Sequence, residues 1–171
     1  MVLGANRFDR NLDRMLRMAQ AKFDAIRRHG EQTYPHECCG VLLGHREEEG
    51  SIVLEAWPAE NIRSDAAHNR YGISAQELIR IQQQARGGGL DIVGFYHSHP
   101  DHPAEWSKTD LEEAHWIGYS YVITGVNGKA EYGEADALRC RAIETNSFLL
   151  SGTGEEDKRF ERQPIEVMAD V

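Results

Sequence analysis

The feature that most constrains the fold is a short apolar run that ends in two closely spaced histidines and a proline. Residues Asp91 to His97 are rich in Ile, Val, Phe and Tyr, a composition that favours a buried β-strand. His97 and His99 are two residues apart, so their side chains share one face of the strand end. Because Pro100 has no backbone N–H to donate, we expect the chain to leave the sheet there.

Other segments show helical or strand periodicity. Apolar residues at three- and four-residue steps predict a helix over Asn11–His29, and a capping-box pattern opens a second helix over Ser74–Arg86. A third helix is predicted over Ser107–Ile117. Further strands are predicted at Cys38–Gly44, Ser51–Trp57, Tyr119–Thr124 and Leu138–Ile143. Strands interspersed with helices predict an α/β domain around one sheet.

The domain is expected to occupy most of the chain. The length of 171 residues suits one domain, which we assign to residues 1–150. From Ser151 the sequence turns to Gly, Glu and Lys, so residues 151–171 are predicted to form a partly flexible C-terminal tail. Within this tail, Arg159–Met168 is expected to add one edge strand. We also predict a charged turn over His45–Gly50 and a short return strand over Ala130–Gly133.

Composition excludes some classes of partner. The net charge of −9 and pI of about 5.3 argue against nucleic-acid binding, because neutralising phosphates requires clustered Lys and Arg. The sequence shows no long apolar run that would span a membrane and no signal-peptide core, so we expect a cytoplasmic protein. Cys38 and Cys39 are adjacent and Cys140 is distant, which favours core packing over a disulfide framework. The oligomeric state is not predicted.

A metal site is predicted where the histidine strand ends. His97 and His99 can converge on one ion, and Pro100 favours the extended backbone that keeps them together. Ser107 fits the N-cap of the next helix, and Asp110 lies three residues further on. A loop that folds back would bring the Asp110 carboxylate to the same ion. Two imidazoles and a carboxylate, with a fourth position for water, form the ligand set of a catalytic Zn²⁺ site.

Hydrolysis at such a site also requires a general base and an oxyanion donor. Glu37 starts an apolar strand that could lie beside His97. We assign Glu37 as the general base that takes a proton from the water and then protonates the leaving amine. Ser107 is assigned as the donor to the developing oxyanion. His102 could contact the metal or the substrate, but we favour a solvated loop histidine.

These residues resemble the motif of the JAMM family, the MPN-domain metallopeptidases. The family pattern is an upstream Glu, then His-x-His-Pro, six residues, Ser, two residues and Asp. In this chain the pattern is filled by Glu37, His97-Ser98-His99-Pro100, Ser107 and Asp110. The resemblance runs from about Tyr34 to Val126. Trp106 departs from it, because many members carry Pro before the Ser.

The resemblance implies a cytidine-deaminase-like α/β sandwich, with a mixed central sheet flanked by helices. It implies a zinc peptidase in which a zinc-bound water cleaves the bond after the C-terminal Gly-Gly of a ubiquitin-like sulfur-carrier protein, the expected partner. The alternatives are an isopeptidase that removes ubiquitin-like modifiers from lysine and a non-catalytic MPN scaffold. The loop Asn61–Arg70 and the region around Ile73 are candidates to contact the carrier tail, which can lie extended along a sheet edge.

Overall fold

The computed structural model describes residues 14–63, 72–128 and 140–170. In these ranges the chain forms eight strands and three helices: β1 (Met15–Ala19), α1 (Gln20–Thr33), β2 (Cys39–Glu47), β3 (Gly50–Ala59), α2 (Ala75–Gly87), β4 (Asp91–Pro100), α3 (Lys108–Glu113), β5 (Ser120–Asn127), β6 (Arg141–Ser151), β7 (Arg159–Gln163) and β8 (Ile165–Met168). No helix in these ranges is long and apolar enough to cross a membrane.

The eight strands form one mixed sheet in the order β7-β6-β5-β4-β2-β3-β1-β8. β4 is parallel to β5, and β1 is parallel to β3 and β8, while the other neighbours are antiparallel. β7 and β8 lie at opposite ends of this order, yet only Pro164 separates them in the chain. Since consecutive Cα atoms are about 3.8 Å apart, the sheet must curl until its two edges approach each other.

Helices pack against both faces of the central strands. Ile26 of α1 belongs to the same buried cluster as Leu42 of β2, whereas Ile81 of α2 clusters with Val41 and Leu43. Successive side chains on a strand point to opposite faces, so β2 is covered on both sides. This double burial explains the near-continuous apolar sequence of the first six residues of β2, whereas His45, Arg46 and Glu47 at its end are exposed. The predicted mixed α/β fold is confirmed.

The first predicted helix, Asn11–His29, is wrong in its N-terminal part. Residues 11–13 lie outside the described residues, and the chain from Met15 to Ala19 is strand β1. Leu16 and Met18 are fully buried between partly exposed neighbours, which is the two-residue period of a strand. The apolar residues fit either period, and pairing of β1 with β3 and β8 decides between them.

The prediction that the chain leaves the sheet at Pro100 is also wrong, because β4 continues through this residue. β2 pairs with β4 only as far as His97, whereas β5 pairs with it up to Pro100. The N–H of Asp101 donates to the carbonyl of Val126 on β5 at 2.8 Å. The backbone nitrogens of neighbouring residues in a strand point to opposite neighbouring strands. The nitrogen of Asp101 points to β5, so the nitrogen of Pro100 points away from it. Proline therefore interrupts no hydrogen bond of the described ladder.

The third helix begins after Ser107, as predicted, but ends at Glu113 rather than at Ile117. Ala114 is extended and only 3% exposed. It belongs to the buried cluster of Phe95, and the ring of Trp116 lies 5.2 Å from that of Phe95. Burial of these side chains against β4 outweighs continuation of the helix.

Two predicted connections remain to be compared with the structure. The segment from His45 to Gly50 is not a turn throughout, because β2 continues to Glu47 and only the two residues that follow form the turn. The predicted return strand Ala130–Gly133 lies outside the described residues.

The C-terminal segment contributes two strands rather than the single edge strand predicted over Arg159–Met168. β7 pairs with β6 at one edge of the sheet, and β8 pairs with β1 at the other. The predicted division at residue 150 stays a prediction, and the sheet includes strands from both sides of it.

The burial of β2 predicts a clear difference between two leucines. Leu42 is 0% exposed, and Leu42→Ala should lower the free energy of unfolding by about 2–5 kcal/mol, because it leaves a cavity between two packed layers. Leu54 on β3 is 39% exposed, and Leu54→Ala should cost only about 0.5 kcal/mol. Urea denaturation of both variants measures this. Equal losses would contradict the placement of β2 at the centre.

Candidate metal centre

Pairing of β2 with β4 brings Glu37 to the two histidines. The strands are antiparallel with Cys39 opposite His97. The same register, carried two residues back along the chain, places Glu37 opposite His99. The predicted placement of these segments side by side is confirmed.

The residue between the two histidines fastens these segments together. The N–H of Ser98 donates to the carbonyl of Cys38 at 3.2 Å, and the N–H of Cys38 donates to Ser98 Oγ at 2.9 Å. Ser98 is 0% exposed, and its side chain points to the face opposite those of the histidines. It therefore fixes the backbone next to Glu37 without occupying the metal side of the strand.

A second contact holds the chain just before Glu37. The hydroxyl of Tyr34 donates to Asp101 Oδ2 at 2.8 Å. Asp101 has a φ of 56°, an uncommon backbone conformation that Asp tolerates better than most residues. Its other carboxylate oxygen accepts the N–H of Gly128 at 2.9 Å. The chain before Glu37 is thus tied to the turn that follows the histidines.

His97, His99 and Asp110 present their ligand atoms to one point. The two Nε2 atoms are 3.0 Å apart, Asp110 Oδ1 lies 3.2 Å from His97 Nε2, and Asp110 Oδ2 lies 3.4 Å from His99 Nε2. In a tetrahedral site with zinc–ligand distances of about 2.0–2.1 Å, neighbouring ligands are about 3.3 Å apart. Each of these three contacts is therefore close to the spacing between neighbouring ligands of one small ion.

A hydrogen bond fixes the tautomer of His99. Its Nδ1 lies 3.0 Å from the carbonyl oxygen of Pro103, which can only accept, so Nδ1 carries the proton. Burial lowers the pKa of His99, but the hydrogen bond from Nε2 to Asp110 outweighs it and raises this pKa. When Nε2 releases that proton, its lone pair becomes available to a metal ion. This donor set fits a divalent ion that accepts imidazole and carboxylate.

The capping box of α3 fixes Asp110. The N–H of Ser107 donates to Asp110 Oδ2 at 2.6 Å, and the N–H of Asp110 donates to Ser107 Oγ at 3.1 Å. Burial opposes ionisation of Asp110, but hydrogen bonds with His97 and His99 outweigh it and lower the pKa of this carboxyl. Burial lowers the pKa of His97 and so favours the neutral ring. A proton or a metal ion can balance the Asp110 charge here.

Glu37 is a buried carboxyl beside this group. It is 4% exposed, and burial raises its pKa to about 7. Asn61 Nδ2 donates to its carbonyl oxygen at 3.3 Å, which helps to hold the backbone. A carboxyl with a pKa near neutrality can both accept and release a proton under ordinary conditions.

An open cleft of about 400 Å³ gives access to the group. Its lining residues are Glu37, His99, His102, Pro103, Glu105, Trp106, Ser107 and Thr109. Because Ser107 Oγ already accepts from Asp110 N–H, its own proton can point towards a ligand in the cleft. His102 is exposed and lies outside the candidate metal group that the described residues form.

Sequence reasoning missed the residues that hold the site together, namely Ser98, Tyr34, Asp101, Asn61 and the carbonyl of Pro103. Serine at a strand end or asparagine in a loop carries no signal of a specific partner. The adjacent cysteines behave as predicted. Burial raises the pKa of Cys38 to about 11 and that of Cys39 to about 12, so both remain packed thiols.

Comparison with known proteins supports a family assignment. Two curated relatives are a desampylase from Haloferax volcanii and a "probable TtuB-protein conjugate cleaving protease" from Thermus thermophilus. The first is 37% identical over 95 residues, which cover 56% of this chain and 66% of the desampylase, just under two thirds of its length. The second is 30% identical over 114 residues, which cover 67% of this chain and 72% of the protease.

A solved structure and a family model extend the comparison. A solution structure of a protein from Desulfitobacterium hafniense superposes with a TM-score of 0.71 at 23% identity, covering 92% of this chain and 95% of that one, which shows a common fold. The family model described as prokaryotic homologs of the JAB domain matches residues 19–141, more than half of the chain. This match includes Glu37, both histidines, Ser107 and Asp110. The chain therefore belongs to the family of prokaryotic homologs of the JAB domain.

Proposed function

We propose that the protein is a zinc-dependent peptidase that cleaves the bond after the C-terminal Gly-Gly of a ubiquitin-like sulfur-carrier protein. The convergence of three ligand atoms within 4.8 Å of one another, beside the buried carboxyl of Glu37, carries this proposal. The family assignment supports hydrolytic chemistry. A non-catalytic scaffold is disfavoured because the ligand set is complete. In this proposal the fold is a variant of the cytidine-deaminase-like sandwich.

The ligand chemistry favours zinc. Mg²⁺ and Ca²⁺ prefer sites built mainly from oxygen ligands, whereas His97 and His99 each offer an imidazole nitrogen. Zinc in such a site supplies Lewis acidity that lowers the pKa of a coordinated water to about 7. His97, His99 and Asp110 would hold the ion, and the cleft would admit solvent and substrate.

Glu37 is proposed to move the proton. A carboxylate oxygen of Glu37 takes a proton from the attacking water and delivers it to the nitrogen of the leaving amine. Its pKa of about 7 without an ion would fall beside a divalent cation, which favours the ionised form needed for the first step. Glu37 is only 4% exposed, so its carboxyl has little contact with bulk water even though it lines the cleft.

Ser107 is proposed to stabilise the oxyanion. Its Oγ accepts from Asp110 N–H, which fixes the oxygen and leaves the hydroxyl proton to donate. Such a donor acts in the transition state, where negative charge develops on the carbonyl oxygen of the scissile bond. Because Ser107 and Asp110 are joined through the capping box, the position of the donor is fixed relative to that of the metal ligand.

The names of the relatives favour a second candidate. The Thermus relative is named for cleaving a protein conjugate, and the Haloferax relative is named a desampylase. Both names support a ubiquitin-like partner. The name of the Thermus relative also favours hydrolysis of an isopeptide bond to lysine. The same residues would perform either reaction, since only the leaving amine differs.

The metal assignment predicts the effect of removing one ligand. Wild-type protein should bind one Zn²⁺, lose cleavage with a chelator and regain it when zinc is added. His97→Ala removes one of three protein ligands, so its zinc content after dialysis should be far below that of the wild type. Metal analysis measures this, with His102→Ala as the control. Equal zinc in His97→Ala and wild type would contradict the assignment.

The proposed role of Glu37 predicts that its substitution slows cleavage without changing zinc binding. Glu37→Gln keeps the size of the side chain but cannot take a proton, so cleavage should slow by about 100-fold or more. Zinc content should equal that of the wild type, because Glu37 is not a proposed ligand. Turnover is measured on a carrier protein extended beyond Gly-Gly. Wild-type turnover by Glu37→Gln would rule out Glu37 as the base.

Two matched substrates separate the two candidate functions. One is a linear fusion in which a short peptide follows the Gly-Gly of a ubiquitin-like carrier, and the other joins the same carrier to a lysine side chain. The leading proposal predicts a larger kcat/KM on the linear fusion, measured by mass spectrometry of the products. A larger value on the lysine-linked conjugate would support the isopeptidase instead.

A further inference from the structure

We infer that the C-terminal segment 158–162 is a brace that positions the metal ligand Asp110 and the oxyanion donor Ser107. Both lie in the site loop, defined as residues 104–114. Lys158, Phe160 and Arg162 each contact this loop, although they lie in the segment predicted to be a partly flexible tail. The inference rests on the proposed function, because it assigns positioning residues to the same site.

Lys158 makes the strongest of these contacts. Its side chain is only 8% exposed, and its Nζ donates to the carbonyl oxygens of Glu112 at 3.0 Å and Ala114 at 2.9 Å. The third contact of the ammonium is Glu155 Oε2 at 2.6 Å. An ammonium has three donor hydrogens, so these contacts use all of them.

Helix α3 is too short to satisfy the carbonyl groups of its last turn with its own N–H groups. It has six residues, and the N–H of Ala114, which donates to Asp110 O at 3.0 Å, is the last to complete a helical turn. The carbonyls of the final turn have no partners further along a helix. Lys158 supplies both a donor and a positive charge at this C-terminal end, where a cation is favourable. The far end of the helix that carries Asp110 is therefore fixed from outside.

Phe160 supports the other end of the site loop. The centroid of its ring lies 5.8 Å from that of Trp106, the residue before Ser107, and 5.2 Å from that of Tyr121 in the sheet. Trp106 is 39% exposed and lines the cleft, so Phe160 forms the inner support of the cleft wall.

Arg162 adds a weaker contact. Its Nη1 lies 2.6 Å from Glu105 Oε1, but the two side chains are 57% and 52% exposed. Exposed ion pairs contribute little because water and salt screen them. We therefore expect Lys158 and Phe160 to dominate the brace.

Strand periodicity provides a matched control. Phe160 and Arg162 alternate along β7 and share the face towards the site loop. Lys158 directly precedes β7 and reaches the same loop through its contacts with Glu112 and Ala114. Arg159 points the other way, is 61% exposed and pairs with Glu161 at 2.8 Å on the same segment. Arg159→Met therefore removes a positive charge from this segment without touching the loop.

The test compares Lys158→Met with Arg159→Met. Zinc affinity is measured by competition with a chelating indicator, and amide hydrogen exchange at residues 108–114 is measured on the metal-free protein. Lys158→Met should raise the zinc Kd by about tenfold to a hundredfold, the usual effect of losing support around a metal ligand. It should also speed exchange in α3, whereas Arg159→Met should match the wild type in both measurements.

Wild-type zinc affinity and exchange in Lys158→Met would overturn the brace, as would equal changes in Arg159→Met. If Lys158→Met does not fold, Phe160→Leu carries the test, and unchanged exchange at residues 106–110 would overturn the inference. The exchange measurement needs no metal. A wild-type protein that binds no zinc would therefore refute the proposed function while the exchange comparison still decides on the brace.

Discussion

The site depends on one strand pairing, the antiparallel register that sets Cys39 of β2 opposite His97 of β4. A slip of one residue would turn every side chain of β2 to the other face of the sheet and move Glu37 away from the histidines. The two hydrogen bonds between Ser98 and Cys38 specify this register at the point where the metal group begins. Fold and chemistry are joined at this pair of strands.

The same pairing concentrates buried polar groups that would be costly without partners. Glu37, His97 and His99 are all under 10% exposed, and Asp110 lies against both rings. Burial favours the neutral forms of Glu37 and His97, whereas Asp110 stays ionised through its hydrogen bonds. A dication at this point would balance the carboxylates and use the neutral imidazoles as ligands. Metal binding would then also stabilise the fold.

Sequence predicted what depends on near neighbours. The His-x-His spacing put His97 and His99 on one face of a strand, and the Ser-x-x-Asp pattern put Asp110 in the first turn of a helix, because both patterns act over a few residues. The return of the loop that joins them was a separate hypothesis. The side-by-side placement of the Glu37 and His97 strands was also proposed from the sequence, but other features set by distant pairing were not predicted. β1 fits a helical pattern until β3 and β8 bind it on both sides. Lys158 is typical of a solvated charge in a polar stretch, yet its burial depends on the carbonyls of a helix some 44 residues earlier.

The measurement closest to the central claim is a crystal structure of the zinc-loaded protein with anomalous scattering recorded at the zinc edge. We expect a single zinc peak, with Nε2 of His97, Nε2 of His99 and one Asp110 oxygen about 2.0–2.2 Å away. The fourth ligand should be a solvent oxygen within hydrogen-bonding distance of Glu37. A zinc peak elsewhere in the chain, or a protein atom as the fourth ligand, would contradict the account.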